Sequence, residues 1–398
     1  MKHNRRHFLK NISKASLAFM PALQGFSAAY TQQRVIILMV DGLGLDYISS
    51  SAMPTLQSWK QKGLYKTVQS VFPSVTNTNN TGICCGAWPA QHGITGNSFL
   101  NLQTGQEEYM ETTELVLAPT IFNRAAKQGV SSALLSSKKK TITLLSNGAD
   151  LKLTAESPSR EWIDRLGPAP DIYSPEINYW LLKAGIWLLK HESRFQCVYM
   201  HTTDYPMHSW PPEDERSKTH LQTLDSLFQQ LQEAAPDAAI LLTADHGMNH
   251  KTQCWDLEKA LEKRGAPIKI AISAERDKYL KHHRGFGGTS YVYLNQPGDE
   301  EKVRRIGKQL AGVEEVLTRA EAAERFHTMP GRIGDLVVLG DKNTVFGNLD
   351  AEREDLPASY RTHGSLHEAT IPLFVYNAKQ APKPDYFKHN MDLAKWLY

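Results

Sequence analysis

Three apolar, β-rich runs that stop abruptly at acidic residues restrict this chain's fold more than any other feature. Val35-Ile36-Ile37-Leu38-Met39-Val40 ends in Asp41-Gly42, the run 195–201 leads through Thr202-Thr203 to Asp204, and the run 238–243 leads to Asp245-His246-Gly247. A run that is apolar at successive rather than alternate positions predicts a strand covered on both faces, as in a parallel sheet flanked by helices. Helical patterns fall between the runs, at 54–62, from Ser174-Pro175-Glu176 towards Lys190, and at about 213–234. The second opens on a Ser cap, a Pro at the first position and an acid in the first turn. It carries Ile177, Trp180, Leu181, Ala184 and Leu188 on one face. Shorter strands are expected at 131–135, just before Lys138-Lys139-Lys140, and at 373–376. This alternation predicts an α/β fold, a doubly wound and mostly parallel sheet with helices on both faces.

The texture changes between Lys251 and Tyr360, where charge and glycine rise. Strands at 291–294 and 336–339 flank a helix at 299–311, which together predict a small inserted α+β cap lobe over 251–360. The catalytic core then comprises 32–250 and 361–398. A length of 398 residues with 41% hydrophobic content is enough for a substantial core, and a net charge of +3 leaves no nucleic-acid footprint. No apolar run is long enough for a transmembrane span. Cys84, Cys85, Cys197 and Cys254 show no CxxC spacing, which argues against a thiolate zinc site, and Cys84-Cys85 is read as small buried packing. Residues 1–29 differ from the rest. Asn4-Arg5-Arg6-His7-Phe8-Leu9-Lys10, a mildly apolar stretch and Ser27-Ala28-Ala29 follow the order of a twin-arginine export signal, which predicts a bacterial periplasmic location.

In an open α/β sheet, sites form outside the carboxyl ends of the strands. Asp41, Asp204, Asp245 and the lysine run all follow predicted strands directly. With His208, His246 and His363 they form a set of carboxylates and imidazoles suited to zinc or a similar divalent ion. Each of these short motifs alone is usually a turn or a cap, and their recurrence at strand ends is what points to a metal. Asp204 and His208 are four apart, with Pro206 in a position the first turn of a helix tolerates. The candidate nucleophile is Thr76, in Phe72-Pro73-Ser74-Val75-Thr76-Asn77-Thr78-Asn79-Asn80. A neutral hydroxyl attacks poorly, so a base or a metal must activate it. Counting Thr76, there are too many ligands for one tetrahedral zinc, whereas two ions about 3.5–4 Å apart would use them and suit displacement at phosphorus. The remaining histidines, His201 and His282 among them, are read as solvated or structural.

These segments resemble the alkaline phosphatase superfamily and its nucleotide pyrophosphatase/phosphodiesterase branch. Within that branch they look like the phosphonoacetate hydrolases. The resemblance is carried by Val40-Asp41-Gly42, Phe72 to Asn80, His92-Gly93-Ile94-Thr95-Gly96-Asn97, Asp171-Ile172-Tyr173-Ser174, Thr202 through His208, Thr243 through Asn249, Gly331 through Leu336 and His363-Gly364. The Ser-x-Thr-Asn-x-Asn-Asn stretch and Lys138-x-Lys140 are its most specific parts. The resemblance implies two Zn2+ per chain, one on Asp41, Thr76, Asp245 and His246, the other on Asp204, His208 and His363. It also implies that Asn97 donates to a phosphoryl oxygen and that Lys138 and Lys140 bind the carboxylate of a small anionic organophosphorus substrate. The reaction implied is cleavage of phosphonoacetate to acetate and phosphate through a phosphothreonine. The chain departs from the pattern in its export signal and in Trp210-Pro211-Pro212 after His208. Arg284 is a candidate cap-lobe contact to substrate. Two rival readings are a type I phosphodiesterase or nucleotide pyrophosphatase on the same metals, which would want an aromatic or apolar slot, and a non-catalytic exported binding protein, which would need no nucleophile.

Overall fold

The computed structural model describes residues 33–278 and 284–398, so the expected export signal and His282 and His283 lie outside the described residues. The Val35–Met39 strand is the centre of a seven-stranded sheet. The strand order is Leu64–Gln69, Thr370–Tyr376, Ala239–Thr243, Val35–Met39, Cys197–His201, Ser132–Ser136 and Leu151–Thr154. The last five pair in parallel, and Thr370–Tyr376 runs against both its neighbours. Every residue of Val35–Met39, Ser132–Ser136, Cys197–His201 and Ala239–Thr243 is buried, so both faces of the sheet are covered, as the uninterrupted apolar runs required. Met39 lies level with His201 and Thr243, and His201 with Ser136. That register brings Asp41, Asp204, Asp245 and Lys138 out at one edge of the sheet.

Several element boundaries differ from expectation for local reasons. Ser174 does not cap the helix Glu176–His191, because its hydroxyl donates to the Asp171 carbonyl at 2.8 Å. Pro175, already helical at φ −60 and ψ −31, takes the cap position instead. The helix expected from about 213 begins at Glu215, after Asp214 accepts a bond from the Arg216 amide. The helix expected over 299–311 is shorter, Glu300–Gly307, and it ends on a residue that disfavours helix. Thr76 opens a ten-residue helix, Thr76–Cys85.

A second, four-stranded antiparallel sheet has the order Ile270–Ser273, Thr289–Tyr293, Leu336–Gly340, Val313–Thr318. Alternation divides its side chains. Val292, Leu336 and Val338 pack with Val303 and Ile306 of its own helix, while Tyr291, Tyr293, Val337 and Leu339 share a cluster with Phe72 and Val75. One face of this sheet therefore supports the segment leading into Thr76. The chain leaves the first sheet at Asn249–His250 and returns at Arg361–Thr362, and these two segments pair antiparallel. The four cysteines are buried free thiols. Among the described residues no helix is long and apolar enough to cross a membrane.

Candidate active site

Val75 is extended at φ −127 and ψ 149 and caps the helix Thr76–Cys85, which makes Thr76 its first helical residue. Unpaired amides and the positive end of the helix dipole face the same region as the Thr76 hydroxyl. Asn and Thr compete with a helix's own hydrogen bonds, so this sequence needs external partners to form one. It has them. Asn79 Nδ2 donates to the carbonyls of Val71, Pro73 and Val75 at 3.0, 2.9 and 3.2 Å, and its Oδ1 accepts from the Val71 amide at 2.8 Å and from Asn390 Nδ2 at 2.9 Å. Asn80 accepts from the Tyr199 hydroxyl at 2.6 Å, and Asn77 donates to the Met110 carbonyl at 2.9 Å. Thr76 Oγ1 is thereby held 3.4 Å from Asp41 Oδ1 and 3.2 Å from His246 Nε2.

The expected ligands converge on that hydroxyl. Ligand atoms of Asp41, Asp245 and His246 lie within 4.8 Å of one another, as do those of Asp204, His246 and His363, so His246 sits between the two groups. His208 Nε2 is 2.9 Å from Asp204 Oδ2, and the His246 and His363 rings stack with centroids 3.5 Å apart. All three imidazoles are anchored alike. Nδ1 of His208 donates to the Arg361 carbonyl at 2.8 Å, that of His246 to Gly247 at 2.9 Å and that of His363 to Ser74 at 2.8 Å. This arrangement aims every Nε2 at the carboxylates, the orientation that metal-ligating histidines take from their outer partners.

The electrostatics call for added positive charge. Burial, with Asp204 and Asp245 close by, pushes the Asp41 carboxyl above its ordinary value. Burial alone would raise Asp204 as well, but Lys138 and His208 outweigh it and hold it well below the carboxylate range. Burial would lower His246, yet Asp245 and then Asp41 and Asp204 raise it to about 10. Asp245 Oδ2 is buried with His246 Nε2 3.2 Å away and no well-formed hydrogen bond. Three buried carboxylates with an unsatisfied oxygen and three pre-oriented imidazole nitrogens fit a divalent cation such as zinc.

Lys138 Nζ reaches Asp41 Oδ2 at 2.6 Å and Asp204 Oδ1 at 3.0 Å. Lys140 Nζ pairs with Asp277 and donates to Asn97 Oδ1 at 3.1 Å. Thr76, Asn97, Lys138, Lys140, Glu275 and Asp277 line one cleft, together with Tyr173. Glu275 and Asp277 went unnamed in the sequence because they follow the edge strand Ile270–Ser273 of the second sheet, and only the topology carries them here. His201, expected to be solvated or structural, is buried against Asp41. Its Nε2 lies 3.3 Å from Asp41 Oδ2, and Ser136, Thr141 and Asn80 surround its Nδ1 at 3.0, 2.8 and 3.2 Å. Its place at a strand end beside Thr202-Thr203-Asp204 was the available signal. Arg284 is not among the cleft's lining residues, because Glu354 holds its guanidinium at 2.6 Å over the Phe286 ring. Trp210 instead ends a row of rings, 6.3 Å from Tyr205, which is 6.2 Å from Tyr173.

The family profile described as type I phosphodiesterase / nucleotide pyrophosphatase matches residues 35–366. Bis(5'-adenosyl)-triphosphatase ENPP4 of Bos taurus is 24% identical over 247 residues, which covers 59% of this chain and 51% of that protein. The Homo sapiens protein of the same name is 23% identical over 253 residues, with coverage of 60% and 52%. The chain thus spans about half the length of the curated relatives it matches. Phosphonoacetate hydrolase from Sinorhizobium meliloti 1021, solved with phosphonoformate and with phosphonoacetate, matches with a TM-score of 0.82 at 29% identity, covering 92% of this chain and 95% of that one. Murine ectonucleotide pyrophosphatase / phosphodiesterase 5 shares the fold, with a TM-score of 0.66 at 17% identity over 91% of this chain and 93% of that one. A profile match over most of the chain, a mixed sheet with its acids at one edge and a hydroxyl set among them lead to one assignment: the chain belongs to the type I phosphodiesterase / nucleotide pyrophosphatase family, a branch of the alkaline phosphatase superfamily.

Proposed function

We propose that this chain is a hydrolase that cleaves the C–P bond of phosphonoacetate, giving acetate and phosphate through a phosphothreonine on Thr76. The observation that carries this reading is the pair of lysines, Lys138 and Lys140, in the same cleft as Thr76. The likeness to the Sinorhizobium meliloti enzyme supports it. Two zinc ions, one on Asp41, Thr76, Asp245 and His246 and the other on Asp204, His208 and His363, would supply the positive charge that polarises the phosphoryl group and activates a hydroxyl or water. Thr76 Oγ1, its proton given up to solvent, bonds to phosphorus as the P–C bond breaks, and the bonding pair leaves with the methylene carbon. The neighbouring carboxylate delocalises that pair as an ene-diolate, whose charge Lys138 and Lys140 offset. The carbon then takes a proton from solvent to give acetate. Asn97 Nδ2 donates to a phosphoryl oxygen. Water releases phosphate from Thr76. Segment 251–360 serves as the cap lobe over this cleft, contributing Glu275 and Asp277.

Charge that builds on the leaving group makes the lysines act in the transition state. Lys138→Met and Lys140→Met should each lower kcat as well as raise KM on phosphonoacetate, by about 10²-fold in kcat/KM. An aryl phosphodiester expels a stable phenolate and should lose far less. A panel of phosphonoacetate, other phosphonates, a nucleotide and an aryl phosphodiester, run on the zinc-loaded parent and both variants, tests this. Equal losses on all substrates would transfer the assignment to the diesterase reading, which the Tyr173, Tyr205 and Trp210 rings favour as a surface for an aromatic leaving group. The substrate site belongs in the periplasm on this reading. Replacing Arg5-Arg6 by Lys-Lys should retain the full-length chain in the cytoplasm, and unchanged delivery would remove the twin-arginine assignment.

A further inference from the structure

We propose that Asp277 and Glu275 are positioning residues, which fix the Lys140 ammonium and the Asn97 amide in the orientations that receive the substrate. The inference rests on the reading of Lys140 and Asn97 just given, and it adds the second sheet to the catalytic apparatus. The four side chains form a continuous polar chain on one wall of the cleft. Asp277 pairs with Lys140, Lys140 Nζ donates to Asn97 Oδ1 at 3.1 Å, and Asn97 Nδ2 donates to Glu275 Oε2 at 3.5 Å. Asp277 and Lys140 expose 7% and 17% of their side chains, so the pair is shielded enough for its geometry to matter.

This chain of contacts selects one of the two flip states of the amide. With Oδ1 facing an ammonium and Nδ2 facing a carboxylate, both ends of Asn97 are matched. Flipped, an NH2 group would face Lys140 and a carbonyl would face Glu275, and both contacts would be repulsive. The matched state leaves the second Nδ2 hydrogen for the cleft. Glu275 is 4% exposed, and its other oxygen lies 3.6 Å from His363 Nδ1, which already donates to Ser74. The loop itself is tied down from several sides. The Ala274 carbonyl accepts from the backbone N–H of Asn97 at 2.9 Å, Arg276 pairs with Glu107 at 3.2 Å and Lys278 pairs with Glu111 at 2.6 Å. Asp277 therefore reaches Lys140 from a segment that has its own ties to Asn97, Glu107 and Glu111.

The test is a double-mutant cycle in the zinc-loaded full chain with Asp277→Asn, Lys140→Met and both together, with kcat, KM and Tm measured for each. Asp277→Asn should lower kcat/KM for phosphonoacetate by about 10- to 100-fold with little change in Tm, since a misplaced group of this kind costs about that much. In the Lys140→Met background the same change should cost almost nothing, because Asp277 acts through Lys140. Asp277→Glu, which keeps the charge, should recover part of the loss. Glu275→Gln should lower kcat and leave Lys140-dependent binding in place. Additive losses in the double variant, or no loss in Asp277→Asn, would overturn the inference. If the parent turns over the aryl phosphodiester and not phosphonoacetate, the substrate reading fails. The cycle is then read on the diester, where coupled losses sustain the positioning role and additive ones overturn it.

Discussion

Thr76 sits where a hydroxyl gains most from its surroundings: at the amide end of a buried helix, beside a buried carboxylate and imidazole, in a cleft walled by two lysines. Thr76→Ala keeps the methyl-sized stem and places the best helix former at the first helical position, so the fold should hold. Tm should stay within a few degrees of the parent, while phosphate release falls on the order of 10³-fold or more. Near-parental turnover would remove Thr76 as the nucleophile. The surrounding residues were legible to different degrees. Asp41, Asp204 and Asp245 could be read because each follows an apolar run, and strand ends are where α/β sheets place polar chemistry. The Asn-rich stretch was readable as special but not as a helix. Its helical state depends on Val71, Met110, Tyr199 and Asn390, partners that local propensity does not register. Glu275 and Asp277 had no local signal at all, since an acid after a short strand is ordinary and only the second sheet's packing delivers these two to Asn97 and Lys140.

The pairing of Asn249–His250 with Arg361–Thr362 is the element that carries the chain out of the first sheet and back, and a buried ion pair fastens it. Lys251 Nζ and Glu368 Oε1 are 2.8 Å apart with both side chains fully buried. Glu368 also accepts from Asn249 at 2.7 Å and from the Ser365 amide and hydroxyl at 2.9 and 2.7 Å, while its carbonyl accepts from the Gly247 amide at 2.8 Å. One acid thus ties the segment after His246 to the segment after His363. Burial alone would raise Glu368, but Lys251 and these hydrogen bonds outweigh it and hold the carboxyl down at about 2. Its folded value lies below that of an unfolded Glu, so its contribution is present above the ordinary Glu range and is lost as pH falls from there towards about 2. Glu368→Gln leaves a buried ammonium without its partner and should cost about 3–5 kcal/mol near neutral pH. The variant should also lose less stability than the parent as pH falls below about 4. Denaturant unfolding of both proteins with chelator present, near neutral pH and at about pH 3, measures this. Parallel stability–pH curves would mean that Glu368 is not the ionised partner. The sequence offered Lys251 only as the point where composition changes, because an ion pair across 117 positions leaves no local trace.

At the scale of the whole molecule, the proposed metal ligands run from Asp41 to His363, and no short segment contains the whole proposed set. Strand ends of the first sheet contribute Asp41, Asp204 and Asp245, the helix Tyr205–Ser209 contributes His208, and the returning segment contributes His363. The second sheet packs on Phe72 and Val75 behind Thr76. A cation held by these groups would add a further link between parts of the chain already joined by strand pairing and by the Lys251–Glu368 ion pair, and it would relieve repulsion among buried carboxylates. Ligand that binds only the folded state adds about 4 kcal/mol when its concentration is 1,000 times Kd. Chelation should accordingly lower Tm by several degrees and abolish turnover, and zinc should restore both. Elemental analysis of the loaded parent should find about two ions per chain. Asp204→Ala and His363→Ala should each leave about one, since both residues are assigned to the same ion. They should retain most of the parent's metal-dependent gain in Tm, because Asp41, Asp245 and His246 still form a complete group. Two ions in either variant would dissolve the assignment of Asp204 and His363 to one site, and no change of Tm on chelation would show that the buried carboxylates are balanced by the protein's own cations, Lys138 foremost.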